Sequence, residues 1–82
     1  MKILVIDDDR GLRRSLSMIL EDAGYQVVQA ADGSEGLTKA ASEKPAMILC
    51  DVRMPEMDGL EFLCRYRESG GQALVLVMTA YG

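Results

Sequence analysis

The chain has 82 residues, of which 49% are hydrophobic and 27% charged, a composition typical of one small globular domain. Its formal net charge of −4 gives no electrostatic reason for this segment to bind nucleic acid or an anionic membrane. Its apolar runs are too short for a signal peptide or a bilayer crossing, so we expect a soluble protein of the cytoplasm.

The first half of the sequence predicts a strand, a helix and a second strand. Residues 3–6 are all apolar and predict a strand that is buried on both faces. The helix that follows has apolar positions at helical spacing and ends at Gly24. We expect its inner face to carry Leu12, Leu16, Ile19, Leu20 and Ala23, and its outer face to carry Arg13, Arg14, Ser17 and Glu21. Residues 25–30 predict an edge strand, because two glutamines dilute its apolar character.

The second half continues the same alternation. Asp32, Gly33 and Ser34 predict a turn and a cap for a helix that reaches about Glu43, and Pro45 ends that helix. The remaining predicted elements are a strand at residues 46–50, a loop at 51–58, a helix that Gly70 and Gly71 end, and a strand from Ala73 to Met78. We expect the third helix to bury Leu60, Phe62, Leu63 and Tyr66.

Strands and helices therefore alternate along the whole chain. Such alternation, with strands that are apolar on both faces, predicts an α/β fold in which helices cover both sides of a parallel sheet. Right-handed crossovers then place the carboxyl ends of all strands at one edge, where open α/β sheets bind ligands. The polar residues that should lie at this edge are Asp7, Asp8, Asp9, Asp51 and Thr79.

The aspartates at this edge predict a metal site. Asp7, Asp8 and Asp9 follow the first strand, and Asp51 follows the third. Converging carboxylates repel one another unless a cation joins them, so the pattern favours a divalent metal with oxygen ligands. Asp9 could equally well be the N-terminal cap of the next helix. A zinc site is not expected, because the two cysteines lack ligand spacing and the chain has no histidine.

Three segments carry a resemblance to a known family. MKILVIDDDR, ILCDVRMPEMDGLEFL and VLVMTAYG resemble parts of the receiver, or phosphoacceptor, domain of bacterial two-component response regulators. The resemblance extends over residues 1–82 as one domain and implies a doubly wound, flavodoxin-like parallel sheet with strand order 2-1-3-4. The ending MTAYG is similar to that of receivers that precede sigma-54-dependent transcription activators.

The resemblance also implies a function and a set of site residues. Asp51 would accept a phosphoryl group from a sensor histidine kinase, and the domain would act as a signalling switch rather than as a turnover enzyme. Mg²⁺, or Mn²⁺ in its place, would be held by Asp7, Asp8, Asp51 and the backbone carbonyl of Arg53. Thr79 and Ala80 would contact the phosphoryl group and report its arrival.

Some alternatives stay open at this point. The family pattern continues with a helix, a fifth strand that carries a lysine, and a final helix, which the sequence lacks. A degenerate receiver, acting as an interaction or oligomerisation module without phosphorylation, would also fit such a chain. We further expect the apolar strand from Ala73 to Met78 to be an exposed edge, so that the chain is not a stable compact monomer. Either residues beyond Gly82 belong to the natural protein, or another chain pairs with this strand by self-association or domain swapping. An aspartate-nucleophile phosphatase is disfavoured, because Arg53 stands where a second carboxylate is needed.

Overall fold

A computed structural model of the protein describes residues 1–78 and confirms the predicted alternation of strands and helices. The elements are β1 (Lys2–Ile6), α1 (Arg10–Asp22), β2 (Gln26–Ala30), α2 (Gly33–Glu43), β3 (Met47–Asp51), α3 (Gly59–Glu68) and β4 (Leu74–Met78). Their boundaries lie within a few residues of the predicted ones, which is the usual uncertainty at the ends of elements. Within the described range, no helix has both the length and the apolar composition needed to cross a bilayer.

The four strands of this range form one parallel sheet in the order β2-β1-β3-β4. The predicted doubly wound α/β fold and its strand order are therefore confirmed. β1 lies in the middle, where Ile6 is paired with Ala30 on one side and with Cys50 on the other. All four strands point the same way, so the residues that follow them collect at one edge of the sheet.

The main core lies between the sheet and the helix pair α2 and α3. Leu4 and Ile6 of β1 and Ile48 of β3 are fully buried there, together with Phe62 of α3. The Phe62 ring stacks on the ring of Tyr66, with 5.9 Å between the ring centres. The four-residue spacing of these two aromatic residues fixes the rotation of α3 about its own axis. Leu60 consequently faces solvent and is 57% exposed, so the prediction that it is buried was wrong.

α1 covers the opposite face of the sheet, over β1 and β2. Leu16 and Leu20 are partly buried as predicted, but Ile19 is 64% exposed while Ser17 is buried. The predicted placement of Ile19 and Ser17 was therefore wrong, and so was that of Leu12 and Ala23, which are exposed as well. Ser17 can be buried because its hydroxyl donates a hydrogen bond of 2.8 Å to the Arg13 carbonyl, one turn earlier.

On the face of the sheet that α1 covers, no helix among residues 1–78 packs over β3 and β4. Leu74 is 55% and Leu76 is 45% exposed, as expected for an apolar strand at the end of the sheet. Glutamine-containing β2 forms the other edge, as its composition predicted. Of the two edge strands of the described sheet, β4 is therefore the one that exposes large apolar side chains, and an exposed apolar edge strand can recruit another strand.

Candidate metal centre

The strand register brings Asp7 and Asp51 together. Ile6 of β1 is paired with Cys50 of β3, so the next residue of each strand lies side by side with its neighbour at the carboxyl edge. Asp7 and Asp51 are both buried, with 1% and 6% of their surface exposed, whereas Asp8 is exposed. Each of the three side chains offers a carboxylate oxygen within 4.8 Å of the others. Three of the aspartates singled out in the sequence thus form one cluster.

The Asp7 carboxylate is disfavoured by burial and by its acidic neighbours. Burial raises the pKa of the Asp7 carboxyl group; a hydrogen bond from the backbone N–H of Asp9 opposes that rise, and the charge of Asp51 adds to it. The hydrogen bond joins Asp9 N to Asp7 Oδ1 at 2.9 Å. Taking a carboxylate out of water and placing it beside others disfavours its ionised form. A bound cation would remove this cost.

The donor set fits a hard divalent ion. Carboxylate oxygens are the preferred ligands of Mg²⁺, whose metal–oxygen bonds of about 2.0–2.1 Å separate opposite ligands by roughly 4 Å. Oxygens that already lie within 4.8 Å of one another need only small side-chain rotations to reach that spacing. Exposed Asp8 forms the solvent side of the cluster, so an ion can enter without unfolding of the edge.

Asp9 has a different position. Its Oδ1 accepts a hydrogen bond of 3.1 Å from the backbone N–H of Leu12, which makes Asp9 the N-cap of α1. Of the two roles left open for Asp9 by the sequence, the structure shows capping. Asp9 also supports the cluster through its backbone, by the hydrogen bond to Asp7, and a direct metal contact stays a prediction.

The loop after β3 holds Asp51 in place. The backbone N–H of Arg53 donates to Asp51 Oδ1 at 3.1 Å, and the N–H of Val52 donates to the carbonyl of Met78 at 2.7 Å. Gly59, the first residue of α3, closes the loop by donating to the Val52 carbonyl at 3.1 Å. A β-carbon on Gly59 would come within 2.6 Å of the Asp51 carbonyl oxygen. Glycine therefore permits a close approach of α3 to the site.

The other predicted site residues are placed as follows. Arg53 is exposed in the loop, two residues after Asp51, and the role of its carbonyl as a metal ligand stays a prediction. Thr79 and Ala80 lie outside the described residues. Asp58 is the N-cap of α3, since its Oδ1 accepts a hydrogen bond of 2.8 Å from the N–H of Glu61. Asp58 thus acts as a helix cap and lies outside the cluster of three carboxylates.

Two residues at the site were missed by sequence reasoning. Arg13 was assigned to the outer face of α1, but its guanidinium donates a hydrogen bond of 2.7 Å to the backbone carbonyl of Asp7. Amphipathic periodicity could not reveal this contact, because a long polar side chain at the edge of a helix face can point either way. Gly59 was not among the predicted site residues, because its close approach to Asp51 depends on the helix–strand packing.

A parallel sheet of order 2-1-3-4, with an acidic cluster at its carboxyl edge, defines the class of receiver domains. The family model described as "Response regulator receiver domain" matches residues 3–82 of this chain. The chain therefore belongs to the response regulator receiver domain family, which works in two-component signalling.

Similar proteins agree with this assignment. The chain is 46% identical over 80 residues to response regulator MprA of Mycobacterium avium, covering 98% of this chain and 35% of that protein. It is 41% identical over 81 residues to sporulation initiation phosphotransferase F of Bacillus subtilis, covering 99% of this chain and 65% of the relative. The chain thus spans between a third and two thirds of the length of these relatives.

A solved structure shows the same fold. Response regulator protein TrrA of Thermotoga maritima, in complex with Mg(2+)-BeF, superposes with a TM-score of 0.91 at 33% sequence identity. The match covers 99% of this chain and 70% of that one. None of the three similar proteins is named as a sigma-54-dependent activator, so that subgroup stays a prediction.

Proposed function

We propose that this domain accepts a phosphoryl group on Asp51 from a sensor histidine kinase, in a reaction that requires Mg²⁺. Receiver domains are signalling switches rather than turnover enzymes, and those of response regulators are phosphorylated by sensor histidine kinases. The observation that carries the proposal is the convergence of Asp7, Asp8 and Asp51 at the carboxyl edge of the sheet. The relative named as a phosphotransferase and the structure named with Mg(2+)-BeF support it.

Asp51 is the member of the cluster that suits the role of nucleophile. It ends β3, and the loop residues directly after it line an open cleft. The Arg53 N–H holds Oδ1 and so orients the carboxylate group. In the transfer, an Asp51 oxygen forms a bond to phosphorus as the bond from phosphorus to the kinase histidine breaks. The electron pair of the broken bond stays on the histidine nitrogen, and with a proton on its other ring nitrogen the imidazole leaves as a neutral group. The product on this chain is an acyl phosphate on Asp51.

Asp7 and Asp8 would hold the metal together with Asp51, and the Arg53 carbonyl is the further proposed ligand. When bound, Mg²⁺ neutralises the repulsion between an attacking carboxylate and the phosphoryl oxygens. Asp7 is fixed by the Asp9 N–H, whereas exposed Asp8 borders solvent. We assign contact with the transferred phosphoryl oxygens to Thr79 and Ala80, which follow β4.

The test uses acetyl phosphate as the phosphodonor. Incubation with Mg²⁺ should add the mass of one phosphoryl group as an acid-stable, base-labile adduct. EDTA and the isosteric variant Asp51→Asn should each abolish the gain. Asp58→Asn is the matched control, because asparagine also caps helices and Asp58 already caps α3. Absence of a gain in the wild-type protein would overturn the proposal and favour the non-phosphorylated interaction module.

We also propose that residues 1–82 belong to one receiver domain of a cytoplasmic protein. Its phosphorylation would switch an output function, such as transcription regulation. Because the chain spans only 35% of the Mycobacterium avium relative, an output function of that kind would reside in other parts of a longer protein. Expression of the longer protein with Asp51→Asn should remove the response of that output to the kinase.

A second role is favoured by one observation. β4 lies at an edge of the described sheet, and its Leu74 and Leu76 side chains are 55% and 45% exposed. We propose that this edge pairs with the β4 strand of a second copy of the chain, because exposed apolar edge strands recruit other strands.

A further inference from the structure

The backbone carbonyl of Asp7 is a buried acceptor at the point where β1 ends. Asp7 has 1% of its surface exposed, and its N–H continues the sheet by donating to the Ala30 carbonyl at 3.1 Å. Buried carbonyl groups need a hydrogen-bond partner. The partner here is the guanidinium group of Arg13, whose Nη1 donates to the Asp7 oxygen at 2.7 Å.

Arg13 is itself held from two directions. Its Nε donates to Oε1 of Gln29 on β2 at 3.2 Å, which fixes the plane of the guanidinium group. Its own carbonyl accepts the hydroxyl of buried Ser17 at 2.8 Å, which fixes this turn of α1. A planar guanidinium group with several donors can bridge two acceptors in one geometry. Arg13 thus connects α1 with both β1 and β2.

We propose that Arg13 is a positioning residue of the metal centre. The Asp7 carbonyl belongs to the same peptide plane as the Asp8 N–H, so its hydrogen bond fixes the backbone from which both carboxylates project. Groups that orient metal ligands typically change metal affinity by about 10–100-fold when they are removed. The inference rests on the proposed function, because it assumes that Asp7 and Asp8 bind Mg²⁺.

The charge of Arg13 and its hydrogen bond act in opposite directions on a bound cation. Removal of a positive charge near an acidic cluster favours cation binding, because it removes repulsion. Loss of the hydrogen bond disfavours binding, because the ligand backbone is no longer fixed. A lower Mg²⁺ affinity after removal of Arg13 therefore indicates a positioning role, whereas a higher affinity indicates that only its charge matters. Arg14 is exposed and adjacent in sequence, so it provides a control with the same charge.

The experiment is a titration of the protein with Mg²⁺ alone, followed by amide NMR shifts at the carboxyl edge. Arg13→Ala should weaken Mg²⁺ binding by about tenfold or more. Arg14→Ala should leave the affinity unchanged or slightly increased. Gln29→Ala, which removes one acceptor of Arg13 and changes no charge, should weaken binding severalfold. Arg13→Lys, which keeps the charge but donates from a single nitrogen, should fall between wild type and Arg13→Ala.

Chemical denaturation and circular dichroism of each variant establish that the titrated protein is folded. If Arg13→Ala does not fold, the Mg²⁺ affinities of Gln29→Ala and Arg13→Lys still test the positioning role. Unchanged Mg²⁺ affinity in the folded variants would overturn the proposal, and so would an equal loss in Arg14→Ala. A wild-type protein that does not bind Mg²⁺ would instead refute the proposed function itself, so the two failures are distinguishable.

Discussion

Gly59 lies so close to Asp51 that a β-carbon at its position would come within 2.6 Å of the Asp51 carbonyl oxygen. The same β-carbon would approach the α-carbon of Val52 to 3.0 Å, so backbone rather than a flexible side chain would have to move. The start of α3 and the end of β3 are therefore in direct backbone contact. This contact ties the packing of a helix to the position of the proposed phosphoacceptor.

Gly59→Ala should consequently impair both folding and phosphorylation. We expect a loss of about 1–3 kcal/mol in the free energy of unfolding, typical of overpacked sites. The rate of phosphorylation by acetyl phosphate should fall by about ten- to hundredfold, because small displacements of a reacting group have large kinetic effects. Urea denaturation and the rate of mass gain measure the two effects.

Gly11→Ala is the matched control for this substitution. The nearest atom to a β-carbon at Gly11 is Asp9 Oδ1 at 3.5 Å, which is an ordinary contact. Because Gly11 is the second residue of α1, alanine should raise the free energy of unfolding by at most about 0.5–1 kcal/mol and leave the phosphorylation rate unchanged. Equal phosphorylation rates in Gly59→Ala and Gly11→Ala would show that the close contact between Gly59 and Asp51 does not affect phosphorylation.

Asp8→Asn should remove about half or more of the stabilisation of the fold by Mg²⁺. A ligand at a hundred times its dissociation constant stabilises the folded state by about 2.7 kcal/mol, and a tenfold loss of affinity would halve that gain. Without the metal, Asp8→Asn should be at least as stable as wild type, because it removes a charge from the acidic cluster. Thermal unfolding with Mg²⁺ and with EDTA measures both effects.

Asp9→Asn serves as the control for the metal experiment. Asparagine is as good an N-cap as aspartate, so α1 should keep its first turn. The Asp9 side chain accepts the Leu12 N–H and lies outside the cluster of three carboxylates. Its thermal response to Mg²⁺ should match that of wild type. A response as small as that of Asp8→Asn would instead make Asp9 a metal ligand.

The thiol of Cys50 should make the fold sensitive to alkaline pH. Burial raises the pKa of this thiol to about 12 from an ordinary value of 9.0. Between these two pH values the unfolded chain loses the proton and the folded chain keeps it, so stability falls as pH rises. Between these pH values, the free energy of unfolding should fall by up to about 1.4 kcal/mol for each unit of pH because of this thiol. Cys50→Ala should flatten this dependence, whereas Cys64→Ala, at an exposed position, should not.

Leu76→Lys should suppress the proposed self-association through β4. Lysine on an edge strand opposes pairing with another strand, because a charged side chain would have to be buried in the new sheet. Light scattering at high protein concentration should show that the wild-type protein associates and that the Leu76→Lys variant is monomeric. Leu60→Lys removes a leucine that is 57% exposed on α3 and should still associate. A monomeric wild type would contradict the proposal directly.

The strands and the acidic cluster could be predicted from the sequence because each depends on local information. Ile3, Val5 and Ile48 belong to apolar runs that suit a sheet covered on both sides, and parallel strands place Asp7 and Asp51 at one edge. Such arguments need no knowledge of which helix packs where. The parallel sheet and the meeting of Asp7 and Asp51 thus followed from the order of elements and their apolar runs, whereas the strand order followed from the family resemblance.

The rotation of the helices could not be predicted in the same way. α1 carries apolar residues on several sides, and its packing over β1 and β2 selects Ser17 rather than Ile19 for burial. In α3 the stacked rings of Phe62 and Tyr66 decide the inner face and leave Leu60 outside. Both outcomes depend on tertiary contacts, which a single amphipathic pattern does not specify.

The carboxylates of the cluster come from β1 and β3, which are separated in the chain by α1, β2 and α2. No short peptide from this chain could assemble them, and neither could a partly folded state in which β3 has not yet docked beside β1. During refolding, binding of a cation would therefore show that β3 has paired with β1. A divalent ion added in a stopped-flow experiment would distinguish native molecules from collapsed intermediates.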